Sequence, residues 1–344
     1  MKHRIRTGVA ASIGMLLLIL DTKTALYGAN EGIHLCLMTV IPSLLPFIFL
    51  SNLLTSALSG TKLPILRIFG RCMRMPYGSE SLFLIGALGG YPTGAQAVST
   101  AYHSGQLTKT DARRLLGFCS NAGPSFLFGI TAAQFPDALT PWFLWLVHLL
   151  SAFATGIILP GCSRSEAALQ QGRTLTLVES LRRSIAVMAQ ICAWIILFRV
   201  ILAFLNRWFL WLLGNDTQIM ITGLAELSLG CTSLSGIHCQ GLRFIVTAAL
   251  LGFGGQCVMM QTASAVGSLG LGMYIPGKII QCCISIVLAG FLQKLLYLPD
   301  QQVDLHPLFY LILLSIPAVI VFLLQKSKKD VAIRSRLLYN NSTY

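Results

Sequence analysis

Charged side chains are scarce in this chain, 11% of 344 residues, and acidic ones scarcer, with 12 Asp and Glu against 25 Lys and Arg. A soluble domain carries roughly a quarter charged residues, so a water-soluble fold is excluded. Catalytic signatures are also missing: there is no HExxH, no GxSxG, no Walker loop and no paired membrane aspartates, and no enzyme is expected. Ser233 and His238 stand close in sequence but lack the glycine context of an intramembrane serine protease. No CxxC pair occurs, and His34, His148 and His238 are isolated, so neither a metal nor a cofactor is expected. The formal charge of +13 forms no continuous basic stripe with interleaved aromatics, which argues against nucleic acid as a partner.

What the chain has instead is apolar sequence, 55% of its residues, with a mean hydropathy of +0.72. That composition, broken into many separate runs, defines an all-α polytopic protein whose surroundings are the lipid bilayer. Its ten cysteines lie mostly inside those runs and read as small hydrophobes. Met1 to Leu20 begins like a signal peptide, but no convincing cleavage site follows, so it reads as a retained first transmembrane helix.

Basic residues at the ends of the apolar runs set the expected topology. A helix over 7–27 and a second over 32–58 bring Lys62, Arg67, Arg71 and Arg74 to the side of the basic N-terminus. The run from about 80 to 102 must then enter and leave on that same face, as a re-entrant hairpin, for Lys109, Arg113 and Arg114 to lie inside as well. Residues 115–134 cross outward and 141–160 return. The segment 161–183, with Arg164, Arg173, Arg182 and Arg183, is a cytoplasmic linker between a first half (1–160) and a second half (184–325). The second half reads as crossings at 184–205, 244–266, 278–298 and 306–324, with a short broken run at 217–236, ahead of a basic tail over 326–344. Of the 25 Lys and Arg, only Lys23, Arg207, Arg243 and Lys294 fall outside and Arg199 in the membrane. Both termini are therefore expected in the cytoplasm.

Two interruptions mark the first half, Gly89-Gly90-Tyr91-Pro92-Thr93-Gly94 and Asn121-Ala122-Gly123-Pro124. Backbone groups freed at membrane depth need partners, so a broken helix survives only where it is buried in protein or lines a polar cavity. Paired breaks of this kind point to a transporter's midplane site. The two hairpins enter from opposite faces, and an offset of 135 residues relates Leu115-Leu116-Gly117-Phe118 to Leu250-Leu251-Gly252-Phe253 (115 to 250) and Pro141 to Pro276 (141 to 276). Two inverted-topology halves are the expectation.

The offset pairs Tyr91 with Glu226, which is expected to be the carboxylate deep in the membrane. An ionisable group there is a candidate coupling site for a proton or cation, or a hydrogen-bonding acid for a substrate; the plainer alternative is a structural acid bonded to freed amides or to Arg199. Ser120, Asn121, Gly123 and Pro124 open a half-helix whose free amides suit an anion. Thr93, Gln96 and Ser99, with Gln256 and Gln261 in the second half, offer neutral donors and acceptors to the same cavity, against helix–helix hydrogen bonding as the alternative. Arg199 is either a counter-charge for an acidic substrate or a snorkelling side chain.

The run GGYPTGAQAVSTAYHSGQLTKTDARRLLGFCSNAGPSFLFG resembles the nucleoside-recognition, or Gate, domain of the YlbJ (SpoVV) family of sporulation integral membrane proteins, which shows GYPxGA, a polar loop and then RLLxFCNNxGPxFxxG. Glu31-Gly32, Pro42-Ser43-Leu44-Leu45-Pro46-Phe47 and Leu251-Gly252-Phe253-Gly254-Gly255 resemble its flanking blocks, so the resemblance covers most of the chain. Ser120 departs from it, standing where the pattern has a second Asn. The resemblance implies an architecture similar to that of concentrative nucleoside transporters, inverted repeats with re-entrant hairpins, and movement of dipicolinate toward the forespore. It also implies a place in the inner membrane or the outer forespore membrane.

The expectation is therefore a permease for a small polar, anionic metabolite, with dipicolinate leading. Tyr91, Thr93, Gln96, Ser120, Asn121, Gly123, Gln256 and Gln261 are expected at the substrate, Glu226 as the coupling or substrate acid and Arg199 as the counter-charge. A nucleoside or nucleobase transporter and a non-transporting assembly protein of the sporulation membrane are the alternatives. No ATP-binding module is present, so active transport calls for a proton or sodium gradient or a partner subunit; a homo-oligomer and a sporulation membrane partner both remain open.

Overall fold

The computed structural model describes residues 2–58, 64–161, 174–297 and 299–341, with side chains for 5–58, 65–161, 174–297 and 299–325. Lys62, residues 162–173 of the expected linker with Arg164 and Arg173, and the side chains of the basic tail lie outside the described residues. Among the described residues every regular element is helical, and six helices are long and apolar enough to cross a membrane. Large apolar side chains such as Leu50, Leu197, Leu311 and Phe322 are exposed on them, as a lipid-facing surface requires. The chain is an integral, multi-pass membrane protein.

The first two expected helices are divided differently. α1 (Lys2–Leu20) ends at Asp21, whose carboxylate accepts the Thr24 N–H and caps α2 (Thr22–Leu35). α2 then runs through one wide turn at Cys36–Val40 into α3 (Ile41–Leu58), a continuous 37-residue helix. Gly28 and Gly32 do not break it, because they are a packing face. A Cβ on Gly28 would stand 2.8 Å from the Arg199 carbonyl oxygen, and one on Gly32 2.9 Å from the Ile196 Cα. Both contacts are to α10 (Leu177–Trp208), which begins ahead of Ser184 because Thr176 and Glu179 form a capping box. α2–α3 and α10 run antiparallel, joined by Asp21–Arg207 (3.0 Å), Glu31–Arg199 (2.9 Å) and Asn52 Nδ2 to Ser184 Oγ (3.0 Å).

After α4 (Arg67–Cys72), α5 (Glu80–Gly89) and α6 (Thr93–His103) form the first hairpin, then come α7 (Lys109–Leu115) and α8 (Pro124–Phe126). The expected crossing over 115–134 is not one helix. Residues 119–123 are non-helical, and α8 is prolonged only to Gln134, since Gly123 and Pro124 start a helix rather than continue one. α9 (Thr140–Ile158) returns as expected, with Pro141 in its first turn. α11 (Asn215–Ala225) and α12 (Leu227–Thr232) make the second hairpin, and the run expected as a single helix over 244–266 is α13 (Gln240–Phe253) and α14 (Gly255–Val266), parted at Gly254. α15 (Tyr274–Leu296) and α16 (Pro307–Asn341) complete the chain.

Lys278, counted with the inside charges by sequence, is instead 1% exposed within the bundle. Glu80 is likewise buried and paired with Arg67 at 2.6 Å, so Glu226 is not alone as a buried carboxylate. One buried apolar cluster joins Val40, Leu44 and Leu127 to Ile191, Leu251 and Cys257, so the two sides of the expected linker share a core.

Candidate functional site

Each hairpin turns because its two arms meet at glycine. A Cβ on Gly230 would lie 2.1 Å from the Gly223 Cα, and one on Gly94 2.8 Å from the Gly86 Cα and 2.1 Å from the Cys119 carbonyl oxygen. At the first tip Gly90 has φ +74 and touches the backbone of Gly123, so the hairpin tip and the start of α8 are in direct contact. Gly254, at φ +84, parts α13 from α14, and a side chain there would meet the Tyr91 hydroxyl at 3.0 Å. Both positions need the left-handed region as well as the space.

The tips face each other across a cavity of about 30 Å³, lined by Tyr91, Ser125, Ile191, Glu226, Ser228 and Gln261 among others. Glu226, 1% exposed, is extended and forms the N-cap of α12, accepting Ser228 N–H at 2.9 Å and Leu229 N–H at 2.6 Å. It therefore satisfies amides freed by the break while lining the cavity. Arg199 is not its partner, being held by Glu31.

Behind Tyr91 lies a chain of polar groups. The Tyr91 hydroxyl donates to the Leu251 carbonyl (3.1 Å) and receives Lys278 Nζ at 3.4 Å. Lys278 also donates to Gln281 Oε1 (2.7 Å), Gln281 Nε2 donates to Asn121 Oδ1 (3.1 Å), and Asn121 Nδ2 donates to the Phe118 carbonyl (2.8 Å). These contacts fix the orientation of both amides. His148 Nε2 accepts the Ala122 N–H at 3.0 Å, which assigns the ring proton to Nδ1. That Nδ1 and the hydroxyls of Ser120 and Thr93 are buried without a hydrogen-bond partner.

Two larger cavities flank the central one. A cavity of about 860 Å³ lies between the first hairpin, α3 and the start of α10, with Asn52, Thr93, Gln96, Glu179 and Arg183 on its walls. A second, about 280 Å³, lies between the second hairpin, α2 and the end of α10, with Arg199, Asn206, Gln218 and Ser233.

Of the residues singled out by sequence, Tyr91, Gly123, Glu226 and Gln261 meet at the central cavity, and Thr93 and Gln96 face the larger one. Ser120 and Asn121 are fully buried behind Tyr91, Asn121 inside the polar chain. Gln256 is exposed and lines none of the three cavities, and Arg199 stands in the 280 Å³ cavity rather than at the centre. Sequence reasoning missed Lys278, Gln281 and His148. The available signal for Lys278 was a lone cation within the apolar run 274–296, which the charge-topology argument absorbed as a helix-end residue.

These features define a polytopic helical membrane protein with two broken helical hairpins around a buried polar centre. No family model matches the chain, and no solved structure matches it. The chain is similar to the sporulation integral membrane protein YlbJ of Bacillus subtilis (strain 168), with 25% identity over 348 residues, 86% of this chain and 84% of the relative.

Proposed function

We propose that the protein is a permease for a small polar anion, dipicolinate in a spore-forming cell's inner or outer forespore membrane being the leading substrate. The observation that carries this reading is the succession of three cavities along one helix. Ala186 and Val187 of α10 line the large cavity, Ile191 the central one and Arg199 the third. At 1.5 Å per residue, Val187 and Arg199 are about 18 Å apart along α10, less than the ~30 Å hydrocarbon thickness. The barrier between the two outer cavities is thus thin, and both hairpin tips lie in it. A central volume of about 30 Å³ has room for one or two waters, so a solute passes only if the hairpins and α10 separate.

Support for inverted halves comes from the paired features at the 135-residue offset. Tyr91 and Glu226 both sit at hairpin breaks, each LLGF run stands at the C-terminal end of a helix, and Pro141 and Pro276 both lie in the first turn of a long helix. The relative's name ties that protein to sporulation, which favours dipicolinate over a nucleoside. The neutral Gln96 and Gln261 side chains suit the nucleoside alternative.

The test is uptake of labelled dipicolinate and uridine into proteoliposomes holding the full chain, with and without proton or sodium gradients. Saturable dipicolinate uptake is expected. Uridine uptake alone would favour the nucleoside reading, and movement of neither solute by well-folded protein would refute transport in favour of a membrane assembly role.

A further inference from the structure

We infer that Lys278 is the cation that receives the carboxylate of an anionic ligand, and that Tyr91 is the latch covering it; this deepens the permease reading and rests on its placement of the substrate between the hairpins. Lys278 is 1% exposed, and among the described residues no carboxylate lies within ion-pair distance of it. Its ammonium has three donors. One is well used, on Gln281 Oε1 at 2.7 Å, and one reaches the Tyr91 hydroxyl at 3.4 Å, long for a charged donor. The rings of Tyr91 and Tyr274 supply only their faces, 5.1 and 5.8 Å away. A buried ammonium held by dipoles alone is under-compensated, and an incoming carboxylate would meet the need that no acid of the described chain meets.

The surroundings are also built for an anion. The buried Ser120 hydroxyl and the His148 Nδ1–H have no partner. Both residues adjoin the polar chain: Ser120 precedes Asn121 in sequence, and the His148 backbone carbonyl accepts Gln281 Nε2 at 3.4 Å. Tyr91 separates this group from the central cavity, lining that cavity on one side and touching Lys278 on the other. Its hydroxyl occupies the position on the ammonium that a carboxylate oxygen would take. Swinging Tyr91 aside joins cavity and cation.

Thermal unfolding of the purified full chain, with pyridine-2,6-dicarboxylate as probe and uridine as the neutral control, tests this directly. Lys278→Met removes the charge but also strips buried Gln281 Oε1 of its donor, so each variant's ligand-free melting temperature serves only as its own baseline. Dicarboxylate at a hundred times its Kd multiplies the wild-type folding equilibrium about a hundredfold. That shift should vanish in Lys278→Met, return in part in Lys278→Arg, and grow at low ligand in Tyr91→Phe, which removes the competing oxygen. A full dicarboxylate shift in Lys278→Met, or none in the wild type, overturns the assignment; unchanged or weaker affinity in Tyr91→Phe overturns the latch, and that variant keeps the test open should Lys278→Met not fold. Uptake with wild-type affinity in Lys278→Met would sink the Lys278 site and leave transport standing, whereas Lys278-dependent binding without uptake would do the reverse.

Discussion

Replacing Glu226 by Gln tests the central cavity with almost no change of shape. The two carboxylate oxygens accept one backbone N–H each, Ser228 at 2.9 Å and Leu229 at 2.6 Å, in a site 1% exposed. A Gln amide keeps one of those bonds through its carbonyl and turns an NH2 donor toward the other N–H. Leaving one buried backbone N–H without an acceptor costs ~1–3 kcal/mol. A melting temperature several degrees below the wild type is therefore expected in detergent. Uptake is expected to fall much further than stability does, because the same substitution removes the ionisable group facing the opposed hairpin tip. The assay is dipicolinate uptake at a temperature where both proteins stay monodisperse, with Glu226→Asp, which keeps the charge on a shorter stem, retaining part of the activity. A Gln variant that melts lower but transports normally would reduce Glu226 to a helix cap. One that matches the wild type in both would refute the cap as well.

The other substitutions probe the scaffold and the entrance. Arg114→Met strips donors from the Met73 and Gly156 carbonyls, each bonded at 2.7 Å, and from the Leu159 carbonyl; a loss of ~3 kcal/mol or more, read as a lowered melting temperature, is expected for two or more stranded buried acceptors. Lys at that position should rescue poorly, since it cannot reproduce the guanidinium fork. Gly28→Leu drives a side chain into the α10 backbone and should abolish monodisperse protein in size-exclusion chromatography, whereas Gly14→Ala, with nothing within 4 Å of the added Cβ, should not. Gln96→Trp fills part of the 860 Å³ cavity and should slow uptake while leaving the melting temperature within a degree or two.

Much of the fold was legible in sequence because membrane insertion imposes few rules and the chain states them strongly. The first hairpin break is visible as Gly90-Tyr91-Pro92 in an apolar run; the second run reads as broken at its glycines Gly223, Gly230 and Gly236, whereas the helix parts at Glu226 and Gly223 packs against Gly230. Tyr91 and Glu226, paired in sequence only by their offset, both line the central cavity. What misled were residues whose local chemistry has two uses. The gap expected between helices over 7–27 and 32–58 is continuous helix, in which Gly28 and Gly32 serve as a packing face, and only the partner helix reveals that role. Gly254 was overlooked as a break inside 244–266 for the converse reason. Lys278 was absorbed into a charge count, since nothing local distinguishes a helix-end lysine from one buried within the bundle. Gln256 was grouped with Gln261 by composition, but a step of five positions places it on another face of α14.

The three cavities share one boundary. On one wall of each stand residues of α2–α3 and α10: Asn52 and Arg183 for the first, Ile48 and Ile191 for the second, Gly28 and Arg199 for the third. On the other wall stand the hairpins. α2–α3 and α10 are clasped to each other by the Gly28 and Gly32 face and by two ion pairs. The hairpins are seated elsewhere: the first rides on the Cys119 carbonyl through Gly86 and Gly94, and the second meets Gly255 through the Gly223 carbonyl. Both seats in turn rest on α15, where Gly277 meets Gly117 and Gly252 meets Cys282. Packing at glycine is intolerant of sliding, because backbone is already at contact distance and has no rotamer to yield. On the permease reading, the interface expected to part is the one marked by cavities, with α2–α3 and α10 on one side and the α15-borne hairpins on the other. Along it the closure at Ile48, Ile191 and Leu227 is apolar side chain against apolar side chain, which can part without stranding a backbone hydrogen bond.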